Sequence, residues 1–415
     1  MSSTRFDVVV VGGGPAGSLT SYFLAKAGVS TALLDGRTFP RPKPCGGGLQ
    51  ARAMLEIPFH LGHLLRGALH SMNLSYGLRN TCTRHYPEPL VYSILRSEFD
   101  HFLLQRAAQA GVRVYEGHGV RAVELPGRGP AAVRTGRGDF LAQCLVGADG
   151  ANSLVRGALN RRRDFFWQAA VSCEIPEEAV NEDAVNAGTM IVDWGSLPSG
   201  YAWAFPKRGS VNVGAGGPIA IARHLKSYVS KFVETAKILK KGFADRLILS
   251  GHQLPTLTRT ARLSAARVLL VGDAAGVVEP FTGDGISFAC RSARIAARSI
   301  LGALNIGDLD LTAYGAQLIS EIGSELWWSR KLLSVSVAFP GLIYRLFRTN
   351  DRVWNTFCKT LRGETNFHRL KKDVLGPFEF AWRAIDTFTQ LRERTILNAK
   401  SVVAPLITAE AHSTE

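Results

Sequence analysis

The sequence lacks paired cysteines, a metal-ligand pattern and a long apolar segment. Its six cysteines are scattered and form no CxxC pair, which predicts a reduced, cytoplasmic protein without a metal site. The longest uncharged, mostly apolar stretch is residues 332–344, whereas a membrane-spanning helix needs about 20 residues. Apolar residues 8–11 run directly into glycines, which is typical of a first β-strand and not of a secretory signal. We therefore expect no transmembrane helix, with peripheral attachment to the inner face of the membrane left open.

The charge balance is strongly basic. Lys and Arg total 49 against 34 Asp and Glu, which gives a formal net charge of +15. No nucleic-acid-binding motif accompanies this charge, so nucleic acid is not expected as a partner. An anionic substrate or an anionic membrane surface explains the charge better, and a solvated basic surface without a partner is the alternative.

The first part of the chain predicts a βαβ unit. Strand-like residues 6–11 and 31–34 flank a helical pattern at 16–28, and GGGPAG at residues 12–17 joins the first strand to the helix. A strand, a helix and a second strand in this order form a right-handed crossover in a parallel sheet. The start of the chain is therefore expected to be Rossmann-like.

The glycines of this turn have the spacing that binds a dinucleotide. Gly12 permits a tight turn, Gly14 lets the backbone approach a pyrophosphate, and Gly17 lets the helix pack on the strand. The helix N-terminus then stabilises the phosphate charge. Asp35 ends the second strand, where a carboxylate accepts hydrogen bonds from ribose hydroxyls. The other residues predicted at this end of the cofactor are Pro15, Ala16 and Arg37.

Two later glycine-rich segments complete a recognisable set. They are LVGADGANSLVR at residues 145–156 and LVGDAAG at 270–276, the second followed by GDGI at 283–286. In this order and spacing the three motifs resemble the FAD-binding set of the para-hydroxybenzoate-hydroxylase-like flavoproteins. The resemblance implies bound FAD, with Asp273 at the ribityl chain and Arg96 near the phosphates; a solvated Arg96 is the alternative. It also places Asp149, Gly272, Gly283, Gly285 and Ile286 at the cofactor.

Further segments resemble one family within that superfamily. PRPKPCGGG at residues 40–48 and YAWAFPK at 201–207 are similar to segments of the geranylgeranyl reductase family, and GDAAG at 272–276 also fits. The resemblance implies an FAD-dependent oxidoreductase that acts on CH–CH groups and saturates C=C bonds of an isoprenoid chain, with hydride from flavin N5 and a proton. Protonation of the double bond requires an acid, and we expect Cys45 to be this catalytic acid or to position a water. The three glycines beside it, at residues 46–48, predict close approach of the backbone to a flat group, which favours a place at the flavin for Cys45, Gly46 and Gly47. The substrate-binding residues would be Tyr201, Trp203, Phe205 and Lys207.

Each of these residues has a plainer interpretation. Cys45 could be a small buried apolar residue. Tyr201, Trp203 and Phe205 alternate along a strand, so they share one face, and that face could be core packing or an aromatic wall for a long apolar chain. Residues 324–400 are rich in aromatic and basic side chains, which suits either an interfacial surface or a layer that covers the substrate cavity.

The expected fold is α/β, with a mixed-sheet substrate domain inserted into the Rossmann-like FAD-binding domain and a helical C-terminal region. We assign residues 1–75, 92–164 and 261–311 to the FAD-binding domain. Residues 76–91 and 165–260 form the substrate domain, and residues 312–415 form the helical region. The sequence does not predict the oligomeric state.

Three functions and two electron donors stay open at this point. The alternatives to the reductase are a flavin-dependent monooxygenase or halogenase on the same fold, and a non-catalytic electron-transfer flavoprotein at a membrane surface. There is no second dinucleotide-binding pattern, so the electrons would come from transiently bound NAD(P)H or from reduced ferredoxin. The substrate expected for the reductase is an isoprenoid or lipid-like small molecule.

Overall fold

The computed structural model describes residues 4–125, 129–159, 164–197, 200–240, 247–307 and 309–375. Within these residues the strands are β1 (Thr4–Val11), β2 (Thr31–Asp35), β3 (Gly48–Gln50), β4 (Gly67–Leu69), β5 (Ser71–Tyr76), β6 (Arg79–His85), β7 (Val91–Ser93), β8 (Arg113–Glu116), β9 (Val120–Glu124), β10 (Ala131–Thr135), β11 (Gly138–Gly147), β12 (Phe165–Pro176), β13 (Thr189–Trp194), β14 (Tyr201–Lys207), β15 (Ser210–Pro218), β16 (Ser250–Leu257), β17 (Ser264–Ala265) and β18 (Val268–Leu270). The helices are α1 (Pro15–Lys26), α2 (Arg96–Gln109), α3 (Leu154–Gly157), α4 (Leu225–Thr235), α5 (Gly272–Ala275), α6 (Ile286–Ile306), α7 (Tyr314–Leu318), α8 (Ser324–Ala338), α9 (Pro340–Thr349), α10 (Asp351–Arg362) and α11 (Phe367–Leu375).

The first sheet carries the nucleotide-binding turn. Its strand order is β17-β18-β11-β1-β2-β8, and β10 and β9 extend from β11. Strand β1 pairs in parallel with β2 and with β11. Val8, Val9 and Val10 of β1 are completely buried, because a central parallel strand is covered on both faces. The predicted α/β fold with a parallel sheet is confirmed.

The second sheet is mixed and has the order β16-β12-β15-β14-β13-β5-β6. Most of its pairs are antiparallel, but β5 runs parallel to β13, with Met72 opposite Met190. Strand β5 therefore belongs to this sheet, whereas the predicted FAD-binding segment extends to residue 75. A short strand pattern does not reveal which sheet the strand joins, so the boundary could not be derived from it. The division into domains stays a prediction.

The C-terminal helices form a layer against the second sheet. Helices α8 to α11 bury aromatic side chains, including Phe347, Trp354 and Phe367, in one apolar cluster with Met72 and Phe281. Asn350 caps α10 by accepting a hydrogen bond from the Val353 N–H at 3.1 Å. The aromatic residues at 378, 380 and 382, also part of the predicted region, lie outside the described residues.

The sequence also has helical patterns at residues 221–241 and 286–301, which predict two helices whose lengths differ from those in the structure. The helical pattern at 221–241 becomes a 3₁₀ turn, Ile219–His224, followed by α4, which ends at Thr235. Lys237 then has φ +52°, a left-handed conformation that a right-handed helix does not contain. The helix predicted over 286–301 continues to Ile306 and stops at Gly307, where φ is +75°. Across the described parts of the chain, each helix is too short or too polar to span a membrane.

Candidate flavin and substrate site

A cavity of about 910 Å³ is lined by the first and second sheets, by the small sheet β3-β7-β4 and by the C-terminal helices. Most residues predicted for the site lie on its wall. They are Gly12, Gly14, Pro15, Ala16, Asp35, Arg37, Cys45, Gly46, Gly47, Arg96, Asp149, Tyr201, Trp203, Phe205, Gly272, Asp273, Gly283, Gly285 and Ile286. The two predicted residues that are not part of this lining are Gly17 and Lys207.

Three glycines of the first motif, Gly12, Gly14 and Gly17, meet different surroundings. A Cβ at Gly12, where φ is +108°, would lie 2.3 Å from the Ala148 carbonyl oxygen, and a Cβ at Gly17 would lie 1.9 Å from the Gly12 oxygen. At Gly14 the nearest such atom is Arg41 Nη2, 3.9 Å away. Gly12 and Gly17 thus permit the turn itself, while Gly14 leaves bare backbone at the cavity. This arrangement fits a pyrophosphate at the N-terminus of α1.

Asp35 holds the turn from the end of β2. Its Oδ2 accepts a hydrogen bond from the Gly13 N–H at 2.7 Å, and its Oδ1 accepts one from the Arg37 N–H at 2.8 Å. A carboxylate oxygen has more than one lone pair, so the same group can still accept from a ribose hydroxyl. The adenosine end of FAD fits these residues.

The second glycine-rich motif, residues 145–156, is hydrogen-bonded to the third, residues 270–276. Asp149 accepts hydrogen bonds from the Ser153 hydroxyl and from the Leu154 N–H, the latter at 2.7 Å, and so caps the short helix α3. Burial raises the pKa of Asp149. Arg156 donates to the Asp273 carbonyl oxygen at 3.0 Å. The carboxylate of Asp149 thus supports the turn in addition to lining the cavity.

A lysine and a histidine face Asp273 across the cavity. Lys43 Nζ lies 2.6 Å from His252 Nε2, and this nitrogen lies 3.3 Å from Asp273 Oδ2. Burial lowers the pKa of Lys43 to about 8, although the Asp273 charge opposes this shift. Burial acts to raise the pKa of Asp273, but the His252 hydrogen bond and the Lys43 charge hold it below its ordinary value. Sequence reasoning missed His252, because no local pattern surrounds it.

Cys45 is surrounded by hydrogen-bond donors. Its sulfur accepts from the Gly47 N–H at 3.3 Å and interacts with the guanidinium of Arg96. Arg96 makes two hydrogen bonds of 2.8 Å to the buried carboxylate of Asp100. Burial opposes the Arg96 charge, but Asp100 and Cys45 raise the pKa of Arg96 above its ordinary value. A permanent positive charge therefore lies beside the thiol.

Two of the three glycines after Cys45, Gly46 and Gly48, pack against the protein's own aromatic rings. A Cβ at Gly46 would lie 3.0 Å from the Phe205 ring and 3.1 Å from Trp203 Nε1, and a Cβ at Gly48 would lie 2.9 Å from the Phe205 ring. Gly47 has φ +65°, and its Cβ would meet the Ile94 carbonyl oxygen at 2.3 Å. Gly46 and Gly48 thus approach the Phe205 ring, and all three glycines also line the cavity. Their approach to the flavin stays a prediction.

Strand β14 presents the predicted aromatic wall. The rings of Trp203 and Phe205 are stacked, with centroids 6.2 Å apart and an interplanar angle of 24°. Trp203 Nε1 donates to Asn212 Oδ1 at 2.9 Å, and the Tyr201 hydroxyl donates to the Thr282 carbonyl oxygen. Because the polar atoms have partners within the protein, the rings present mainly apolar surface to the cavity.

Lys207, at the end of the same strand, points elsewhere. Its Nζ lies 2.5 Å from Glu174 Oε1, and its side chain is only 1% exposed. The Glu174 carboxylate neutralises this ammonium group away from the cavity lining. Lys207 thus has a partner within the protein, and its contact with a substrate stays a prediction.

The far part of the cavity is apolar. Strands β5 and β13 and the C-terminal helices line it with the residues Met72, Leu74, Met190, Val192, Trp194, Leu333, Ser336, Phe347, Phe357 and Leu361. These side chains are apolar apart from Ser336. A C-terminal layer that covers the cavity is one of two interpretations of the sequence, and the sequence does not predict which helical residues reach the cavity.

A buried polar network fixes the turn before α6. Glu279 is fully buried and accepts from the Phe281 and Thr282 N–H groups at 2.5 and 2.9 Å, and burial raises its pKa. Arg52 binds Asp284 at 3.1 Å, and Asp284 accepts from the Ser287 N–H at 3.1 Å. Sequence reasoning missed Glu279 and Arg52, which together hold the glycine turn at the cavity.

Comparison with known proteins assigns the family. Residues 5–169 match the family model of the FAD binding domain. The geranylgeranyl diphosphate reductase, chloroplastic, of Oryza sativa subsp. japonica is 31% identical over 368 residues, which cover 80% of this chain and 75% of the relative. The chain belongs to the geranylgeranyl reductase family. It is therefore an FAD-dependent oxidoreductase, and the expected resemblance is confirmed.

Solved structures share the fold of this geranylgeranyl reductase family member. A geranylgeranyl bacteriochlorophyll reductase-like protein from Thermoplasma acidophilum has a TM-score of 0.71 and 22% identity, over 91% of this chain and 99% of the other. The flavin-dependent brominase Bmp2 has a TM-score of 0.69 and 18% identity, over 95% and 100% of the two chains. At these identities the likeness establishes the fold alone.

Proposed function

We propose that this protein is an FAD-dependent reductase that saturates C=C bonds of an isoprenoid chain. The observation that carries the proposal is the continuous cavity, with the FAD motifs on one part of its wall and an apolar lining from β5, β13 and the C-terminal helices on another. A polar ligand would leave that apolar surface in contact with water, whereas a prenyl chain would bury it. The relative from rice is named for geranylgeranyl diphosphate, which is a substrate of this class.

The residues around Cys45 are suited to proton transfer. Bound FAD, once reduced, supplies hydride. Cys45 donates its thiol proton to one carbon of the double bond, and the other carbon is the one that receives the hydride. The Gly47 N–H and the Arg96 guanidinium offset the negative charge left on the Cys45 sulfur. The rings of Trp203 and Phe205 exclude water and stabilise positive charge that develops on the substrate carbon.

The basic C-terminal helices offer a surface for anionic lipid. Phe339 and Leu342 are each 39% exposed, and Arg345 and Arg348 of α9 are exposed beside them. Helices α8 and α9 also supply Leu333 and Phe347 to the cavity wall. A lipid-like substrate could thus pass from an anionic membrane surface to the cavity.

The electron donor and the reaction can be tested together. Enzyme incubated without oxygen with NAD(P)H, or with reduced ferredoxin, should reduce its flavin with one of the two donors. Added polyprenyl substrate should then be recovered two hydrogen atoms heavier for each bond reduced.

Other outcomes identify the alternatives. A product that carries an added oxygen or halogen atom and forms only in air would establish a monooxygenase or halogenase. If the flavin is still reduced and reoxidised but the substrate is recovered unchanged both with and without air, the protein is an electron-transfer flavoprotein.

A further inference from the structure

One aromatic residue belongs both to the flavin turn and to the apolar part of the cavity. Phe281 directly precedes Thr282 and the GDG segment at residues 283–285, and all of these residues line the cavity. The Phe281 ring is buried in the apolar cluster that the second sheet forms with the C-terminal helices. Phe281 thus lies where the flavin-binding and apolar parts of the cavity wall meet.

The backbone of Phe281 is fixed by the buried carboxylate of Glu279. This carboxylate accepts hydrogen bonds from the Phe281 N–H at 2.5 Å and from the Thr282 N–H at 2.9 Å. It also accepts one from the hydroxyl of Ser329, in α8. Gln50 Nε2 donates to the Thr282 hydroxyl oxygen at 2.8 Å. None of these bonds involves the Phe281 side chain, so a substitution of that side chain leaves the bonding groups of the turn in place.

The ring of Phe281 is held by three other aromatic rings. Its centroid lies 5.7 Å from the ring centroid of Trp194, 6.3 Å from that of Phe367 and 6.4 Å from that of Phe357. These rings belong to β13, α11 and α10. In such a close-packed cluster, the Phe281 ring cannot turn unless side chains from other elements also move. The cavity wall therefore has a rigid aromatic group next to the flavin turn.

An isoprenoid chain is a repeat of similar units. Each unsaturated unit has the same length, methyl branch and double bond, so a chain that slides by one unit presents a chemically similar bond to the flavin. A preference for one bond must then come from the shape of the cavity wall beside the flavin. A rigid ring there disfavours each chain position in which the two would overlap, because overpacking costs free energy.

We infer that Phe281 is a specificity-determining residue, which selects the double bond of the isoprenoid chain that lies at the flavin. This inference rests on the proposed reductase function and leaves its chemistry unchanged. One carbon of the selected bond accepts hydride from the reduced flavin, and the other carbon accepts a proton. Without the ring, neighbouring positions of the chain should bind about as well as the native one, and the products should become a mixture.

The test compares Phe281→Ala and Phe281→Leu with Phe347→Ala, a matched control that removes a ring from another part of the same cavity wall. Reduced enzyme is mixed without oxygen with excess geranylgeranyl diphosphate, so that each flavin saturates one bond, and tandem mass spectrometry locates that bond. One isomer should dominate in the wild type and in Phe347→Ala. Its ratio to the other isomers should fall about 10-fold or more in Phe281→Ala and by less in Phe281→Leu.

The FAD content and flavin absorption of each variant show whether the turn is intact. Both should match the wild type, because the backbone groups that bind Glu279 remain. An unchanged isomer ratio in both Phe281 variants, or an equal fall in Phe347→Ala, would overturn the inference. A wild type without a dominant isomer would overturn it too, and loss of FAD from both Phe281 variants would do so in favour of flavin binding. A wild type that reduces no alkene would instead refute the proposed function.

Discussion

Replacing Gly14 with Val tests the flavin-binding turn while sparing the fold. Gly14 has φ −73° and ψ −178°, an extended conformation that any residue adopts. The nearest atom to an added Cβ, apart from its chain neighbours, is Arg41 Nη2 at 3.9 Å. Val is a poorer N-cap residue than Gly, so the free energy of unfolding of the apoprotein should fall by about 1 kcal/mol. The corresponding change in Tm is at most about 4 °C.

Gly17→Ala is the matched control. Its added Cβ would lie 1.9 Å from the Gly12 carbonyl oxygen, which is backbone and cannot rotate away. Overpacking of this kind costs about 1–3 kcal/mol, and the gain in helix propensity of about 1 kcal/mol offsets only part of it. Gly17→Ala should therefore destabilise the apoprotein more than Gly14→Val does.

The two variants are compared by thermal unfolding of flavin-stripped protein and by chromatography of the flavin that denaturation releases. The wild type should be yellow and release FAD, not FMN. Gly14→Val should be folded and colourless, because its side chain occupies the place of the pyrophosphate. A yellow Gly14→Val protein with a full complement of FAD would refute the assignment of this turn.

Three further predictions follow from the cavity and its surroundings. Cys45→Ala should retain FAD but slow anaerobic flavin reoxidation by substrate about 10²-fold; an unchanged rate would mean that Cys45 only packs. Leu333→Trp should fill part of the apolar lining and reduce activity on long prenyl chains more than on short ones, and equal losses on both would argue against a prenyl site there. Binding to anionic vesicles should weaken as salt shortens the Debye length to about 8 Å or less and should fall further in Arg345→Glu/Arg348→Glu; equal partitioning to neutral vesicles would exclude an electrostatic role.

Much of the cofactor site could be predicted because its residues form local patterns. The turn between β1 and α1 needs glycine where a Cβ would meet backbone, as at Gly12 and Gly17, and this need is visible as a spacing. Asp35 follows from the end of the second strand in the same way. The family resemblance then extended the prediction to segments whose chemistry is not apparent from local spacing.

The rest depends on contacts between distant parts of the chain. Lys43 and His252 are 209 residues apart, and no sequence pattern relates them. The glycines next to Cys45 predict a flat neighbour, but only the folded chain shows that Gly46 and Gly48 pack on the Phe205 ring. Lys207 belongs to a segment that the sequence resemblance identified, yet its ion-pair partner, Glu174, lies on another strand and could not be predicted from that segment.

The central claim is that electrons leave the flavin into a carbon–carbon double bond. The most direct measurement is the stoichiometry of a single anaerobic turnover, in which reduced enzyme receives excess polyprenyl substrate and both flavin absorbance and product mass are recorded. One double bond should be saturated for each flavin reoxidised, and the product should be heavier by two hydrogen atoms. Flavin that stays reduced until air is admitted, with a product that then carries an added oxygen atom, would contradict the account.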